Sequence, residues 1–282
     1  MHPHFKNNAT AMKNKFFIIV LFSLLQTAAF GQQRDTTLPY NFSQFWRETG
    51  HYFTTPLHWD GNDAIVIGSM AVGTAVAYAL EQPISTVVAT ANNSGSRNGA
   101  LEQFGDFYGG LYTPFILFGG FGGYSLITGD VTARKIAFEI GQSCLYAGAI
   151  VTALKIVVGR ARPYAGLGKS SLFHFSITND AYHAFPSGHV TEAMAMSTVL
   201  AFNVDPLWLK ILCYVPVPIT FFARAYQGYH WASDCVFAAG IGFFTAKWCE
   251  DAHGRIDDAA GQKTGTLELQ SLFPLTLTYA FN

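Results

Sequence analysis

A chain of 282 residues suffices for one large domain, yet only 12% of its side chains are charged and half are hydrophobic, against about 25% charged in soluble domains. The formal net charge is -1 and no basic tail or stripe is available to neutralise phosphates, which excludes a nucleic-acid partner. Mean hydropathy is +0.22, and the 25 Phe and 27 Gly suit closely packed apolar helices.

In chain order, the first signal is MKNKFFIIVLFSLLQTAAFGQQ, from Met12. Lys13 and Lys15 make a basic start, Phe16 to Leu25 an apolar run, and Ala29-Phe30-Gly31 a small-residue finish. The pattern predicts a secretory signal over residues 1–31, with Met12 as an alternative start. It directs the chain to a bacterial-type cell envelope; an uncleaved anchor is the alternative. Residues 32–60 form a polar and aromatic segment whose Trp46, Tyr52 and Trp59 suit a membrane interface. The main domain, 61–249, holds six apolar segments, at 63–81, 111–129, 134–158, 188–204, 207–223 and 231–248. A spanning helix wants about 20 mostly apolar residues, which the first two segments meet most comfortably. The fold class is all-α, a membrane-embedded bundle of about six core helices, with a soluble bundle as the alternative. Residues 91–110 read as a loop with one helical turn. In the remaining piece, 250–282, residues 250–266 read as a hydrophilic linker and the tail as a short strand. Cys144, Cys213, Cys235 and Cys249 sit in or beside apolar runs without C-x-x-C spacing, so free buried thiols are expected.

Three clusters carry chemistry. In KIVVGRARP (155–163), Lys155 and Arg162 are two helical turns apart and can share one face, with the helix ending near Pro163. Arg160 falls off that face and reads as a basic flank at the interface, so Arg160→Ala is expected to be nearly silent. In FPSGHV (185–190), Ser187 can cap a helix whose start, with the Gly188 N–H approachable, makes an anion site. His189 then lies in the first turn, beside any bound anion. In FFARAYQGYHWASDC (221–235), Arg224 ends an apolar run, and Asp234 follows His230 by four residues, on one face if helical. A carboxylate that accepts from one imidazole nitrogen makes the other a better nucleophile or base. The plain alternatives are a basic flank, an ordinary cap and a helix-start ion pair. Together, three fixed cations, a helix start and two histidines form an inventory for metal-free phosphoryl transfer. Lys155, Arg162 and Arg224 can neutralise the oxygens that Mg²⁺ usually covers.

K-x6-R-P, P-S-G-H and R-x5-H-x3-D, in this order, resemble the type 2 phosphatidic acid phosphatase and vanadium haloperoxidase superfamily, on its lipid phosphate phosphatase branch, over residues 60–250. The resemblance implies a phosphatase with no cofactor and no metal, acting on a phosphorylated lipid through a phosphohistidine. It implies His230 as nucleophile, Asp234 orienting it, and His189 as general acid and then base. Lys155, Arg162, Arg224, Ser187 and Gly188 would hold the phosphate. One departure is visible: the family's third motif usually opens with Ser where this chain has Ala223, which puts the orientation of Arg224 in doubt. Three alternatives stay open: a soluble periplasmic phosphomonoesterase, a vanadium-dependent haloperoxidase, and an inactive lipid-binding membrane protein. Arg134 and Lys135, Lys210, and Lys247 with Arg255 suggest cytoplasmic loops, which puts the three clusters on the periplasmic side. A translocated N-terminus followed by six spans would put them inside instead.

Overall fold

The computed structural model describes residues 39–85 and 99–259, the last five as backbone only. The signal-like run and the tail expected as a strand lie outside those residues, and the helical unit begins at Phe42. Its helices are α1 (Phe42–Thr54), α2 (Gly61–Ala79), α3 (Ala100–Tyr108), α4 (Tyr112–Thr128), α5 (Val131–Val158), α6 (Gly188–Phe202), α7 (Leu207–Tyr214), α8 (Pro216–Tyr226) and α9 (Ala232–Ala259). Among the described residues there is no strand, and the all-α expectation holds. Local chemistry sets several boundaries. Asp60 and Asp63 form a reciprocal capping box at the start of α2. Asp130 Oδ1 accepts the Ala133 N–H at 2.8 Å to start α5.

Three expectations are corrected. The stretch read as a loop contains the nine-residue helix α3; its glycine flanks masked a run of good helix formers. The fifth apolar segment is two helices, because Pro216 has no N–H to continue the ladder of α7. The supposed linker begins as helix: α9 continues to Ala259. Lys247 pairs with Asp251 at 2.8 Å one turn on. Inward, buried His253 lies between Glu139 and Glu48, 3.2 Å from each. Glu48 also accepts from Gln142 of α5 at 2.7 Å, which ties α1 to the bundle.

α6 is buried nearly all round, with Val190, Ala193, Ala195, Met196 and Val199 fully covered, as befits a helix at the centre of a bundle. It packs against Ile136, Ile140 and Cys144 of α5 and Ala246 of α9. Among the described residues, three stretches are long and apolar enough to cross a membrane: Gly61–Ala79, Val131–Ala165 and Leu207–Tyr226. The four cysteines are unpaired.

Candidate active site

Gly159 closes α5. Its φ of +49° lies in the left-handed region, and its N–H bonds the Lys155 carbonyl at 3.0 Å. The helix therefore stops short of Arg162, which is extended at φ -71° and ψ 152°. Lys155 and Arg162 do not share a helical face as the spacing suggested; the chain turns back to bring the second cation round. Backbone bonds then stitch the three clusters into one end of the bundle. Arg162 N–H donates to Ala181 O at 2.8 Å and Ala184 N–H to Arg160 O at 3.0 Å. Tyr164 N–H donates to Gly228 O and Ser187 N–H to Asp234 O, each at 3.1 Å.

Each cation has its own holder. Lys155 Nζ donates to the His183 carbonyl at 2.7 Å. Arg162 grips Asp180 twice, through the backbone oxygen at 2.8 Å and the carboxylate at 2.6 Å. Arg224 bonds Asp106 of α3 at 2.7 Å and Gln227 at 3.1 Å. Tyr229 lies beneath both guanidinium groups, 4.2 Å from that of Arg224 and 5.3 Å from that of Arg162. Two buried donors lack an oxygen or nitrogen partner: Arg224 Nε, and the hydroxyl of Ser187, whose neighbour is the Cys235 thiol. Ser187 does not cap α6 with its side chain. That hydroxyl and Arg224 Nε are both shielded from solvent.

His230 lies in the short loop between α8 and α9 and is 3% exposed. Its Nδ1 is 2.6 Å from the Ala184 carbonyl, an acceptor only. Nδ1 therefore carries the proton in the neutral ring, and Nε2 keeps the lone pair. Burial pushes its pKa well below 6.5, and the nearby charges of Lys155, Arg162 and Arg224 push the same way. Three cations bearing on one imidazole also show that the clusters converge.

The Asp234 expectation is corrected. Its Oδ2 is 3.9 Å from His230 Nδ1, beyond hydrogen-bond reach, and accepts the Trp231 N–H at 2.7 Å instead. Its Oδ1 accepts from Arg160. The backbone of Ala184, not Asp234, fixes the imidazole tautomer. Arg160 is no interfacial flank either: it is 2% exposed and also donates to Glu81 at 2.9 Å and to Ser233 at 2.8 Å. Ser233 in turn donates to Glu81. Spacing along an assumed helix misplaced Arg160, because the helix had already ended at Val158.

Sequence reasoning also missed Asp106 and Glu81. Asp106 reaches Arg224 because α3 lies hard against α8 and α6. A Cβ on Gly105 would sit 2.8 Å from Ala223 Cβ, and one on Gly109 would sit 2.6 Å from the His189 carbonyl. Ala223, where the resembled family usually has Ser, is the fully buried floor of that contact. His189 itself opens the first turn of α6, half-buried, two residues beyond the Ser187 that bonds Asp234.

Such an assembly gathers cations and a buried histidine at one end of a helical bundle. Residues 137–256, which contain all eight motif residues expected here, match the family model described as PAP2 superfamily. The family that the motifs resemble is thus borne out over that stretch. No curated protein matches the chain in sequence. Two crystal structures are similar to it. One is Aquifex aeolicus LpxE, at 19% identity and a TM-score of 0.46, covering 61% of this chain and 95% of that one. The other is a transmembrane PAP2-type phosphatidylglycerolphosphate phosphatase from Bacillus subtilis, at 15% identity and a TM-score of 0.47, covering 68% of this chain and 96% of that one.

The structure reverses the expectation for Arg160→Ala. Removing that guanidinium leaves Glu81 and Asp234 buried without their cation, a loss of about 3 kcal/mol or more. The melting temperature in detergent should fall markedly, whereas Arg47→Ala, at an exposed position of α1, should barely change it. An unchanged melting temperature for Arg160→Ala would contradict the buried network.

Proposed function

We propose that this protein is a phosphatase of membrane lipid phosphates or diphosphates that works through a phosphohistidine at His230 and uses no metal. The observation that carries the reading is the state of His230. Its Nδ1–H is committed to a carbonyl, burial keeps its ring neutral, and the side chains of Lys155, Arg162 and Arg224 bear on it electrostatically. A neutral imidazole with a free Nε2 lone pair, in a field that attracts phosphate, is a nucleophile set for phosphorus.

In this reading Lys155, Arg162 and Arg224 take the non-bridging oxygens, with the Ser187 hydroxyl and the Gly188 N–H. His230 Nε2 attacks phosphorus in line. The ester P–O bond breaks, and His189 gives its proton to the leaving oxygen. His189 then takes a proton from water as that water attacks the phosphohistidine; the P–N bond breaks and inorganic phosphate leaves. Asp234 acts at a distance here. At 3.9 Å from Nδ1 it stabilises the positive charge of the phosphorylated ring by roughly 4 kcal/mol at an effective dielectric of about 20, before Arg160 offsets part of it. Lipid is preferred to a small soluble ester as substrate because three stretches of the chain suit a membrane, and the envelope placement follows from the sequence pattern. A periplasmic catalytic face remains part of the proposal.

His230→Ala should abolish phosphate release from lipid phosphates in the presence of EDTA. Activity at a tenth of wild type or more would contradict the assignment. Vanadate should inhibit without supporting halide oxidation; peroxide-dependent halide oxidation would favour the haloperoxidase reading.

The pH profile follows from the depressed pKa. A histidine lowered below 6.5 stays neutral until the pH falls through that lower value. The acid limb of kcat/KM set by His230 should therefore lie below pH 6.5. A limb at or above that pH, carried by His230, would contradict the cationic field.

Asp106 orients Arg224 through a 2.7 Å bond, although Ala223 offers no hydroxyl beside it. Asp106→Ala should lower kcat/KM by about tenfold or more, mostly through KM, while Asp106→Asn keeps part of it. Equal and negligible effects of both would remove Asp106 from the site.

A further inference from the structure

The loop between Pro163 and Pro186 supplies Asp180 and the His183 carbonyl to the site, but its aromatic middle plays no part in the chemistry above. There Phe173, Phe175 and Ile177 are 65%, 72% and 75% exposed. The Phe173 and Phe175 rings lie 6.3 Å apart. Leu167 is exposed as well. Large apolar side chains exposed together on one loop mark a contact with lipid or protein.

Its position in the fold selects lipid. The loop is bonded to the ends of two stretches long enough to cross a membrane. On one side Phe173 N–H donates to the carbonyl of Val158, the last residue of α5, at 2.8 Å. His174 N–H donates to Gly159 O at 3.0 Å, and Ala161 N–H to Ser171 O at 2.9 Å. Gly159 is required for this approach, since a Cβ there would lie 2.5 Å from the His174 carbonyl. On the other side, Lys169 Nζ donates to the backbone oxygen of Tyr78 and Ser170 pairs with the Tyr78 hydroxyl, each at 2.9 Å. Tyr78 lies in the last turn of α2, most of whose residues are exposed or only half-buried. Val157, in the last turn of α5, is 58% exposed. Segments pinned at the ends of spans lie where hydrocarbon gives way to headgroups, the level favoured by aromatic side chains.

The backbone carries a matching signature. Phe173 has a φ of +63°, a conformation that bulky residues adopt only when the surroundings impose it. The bonds to Val158 and Gly159 impose it here.

We propose that residues 167–177 form a lip lying in the headgroup–acyl boundary of the bilayer crossed by α2 and α5. Phe173, Phe175 and Ile177 contact lipid there, and the lip passes phosphorylated lipids from that leaflet to the cations beside it. The lipid contact stands without the phosphatase reading; the transfer role rests on it.

Two measurements on the full chain in phospholipid nanodiscs separate these. In the first, Phe175→Trp adds tryptophan emission over wild type. That added emission should be blue-shifted and quenched when the nanodisc lipids are brominated near the top of their acyl chains. Added emission that is neither shifted nor quenched overturns the lip, whether it faces water or a protein partner, and whether or not the protein is active. In the second, Phe175→Ser combined with Ile177→Ser should raise KM for a lipid phosphate in the nanodisc about fivefold or more, leaving p-nitrophenyl phosphate hydrolysis unchanged. Equal loss on both substrates, or none on the lipid, overturns the transfer role. A wild-type protein inactive on both substrates overturns the phosphatase reading and the transfer role with it, while the quenching still decides the lipid contact.

Discussion

Three like charges held beside one buried imidazole are the constraint around which this end of the bundle is arranged. Lys155, Arg162 and Arg224 repel one another across a poorly solvated space. The fold offsets this with a separate holder for each: a carbonyl for Lys155, Asp180 for Arg162, Asp106 for Arg224. Asp106 and Asp180 carry side chains 36% and 54% exposed, so they anchor the guanidinium groups from the rim and leave the interior positive. Burial first, and that residual field with it, keep His230 neutral, and in the proposed reaction the same field receives the phosphate.

The fourth cation, Arg160, serves a different purpose. It sits between Glu81 and Asp234, under the loop that bears His230. Buried ion pairs are poor sources of net stability but expensive to break. This one ties the end of α2 to the start of α9, and Ser187 N–H bonds the Asp234 backbone from the other side. The position of His230 thus depends on a network whose members do not touch the imidazole. Asp106 and Glu81 both lie outside the stretch 137–256 that matches the family, so helices beyond that stretch complete the site.

Much of this was legible in the sequence, and the failures have physical causes. The apolar segments announced their helices, because burial and composition are local properties of a run of residues. The motifs named the charged and imidazole side chains that meet. Lys155 and Arg162 were placed on one face because spacing assumes a helix that continues; Gly159, with its left-handed backbone, ends it. That same error sent Arg160 outward. Ala184 could not be found at all, since a backbone carbonyl leaves no mark on residue identity. Asp106 was hidden in a stretch whose glycines read as a loop but instead allow α3 to lie against Ala223 and His189. Pro216, by contrast, was visible and should have divided the fifth segment.

The central claim is that His230 Nε2 becomes bonded to phosphorus. The most direct measurement is to expose the protein to a lipid or aryl phosphate carrying labelled phosphorus, quench within the turnover time, and map the label. The account predicts acid-labile, base-stable phosphate on the peptide containing His230, accumulating in a His189 variant when the labelled substrate is an aryl phosphate whose leaving group needs no proton. Label on any other side chain, or phosphate release without a labelled intermediate in the His189 variant, would contradict it.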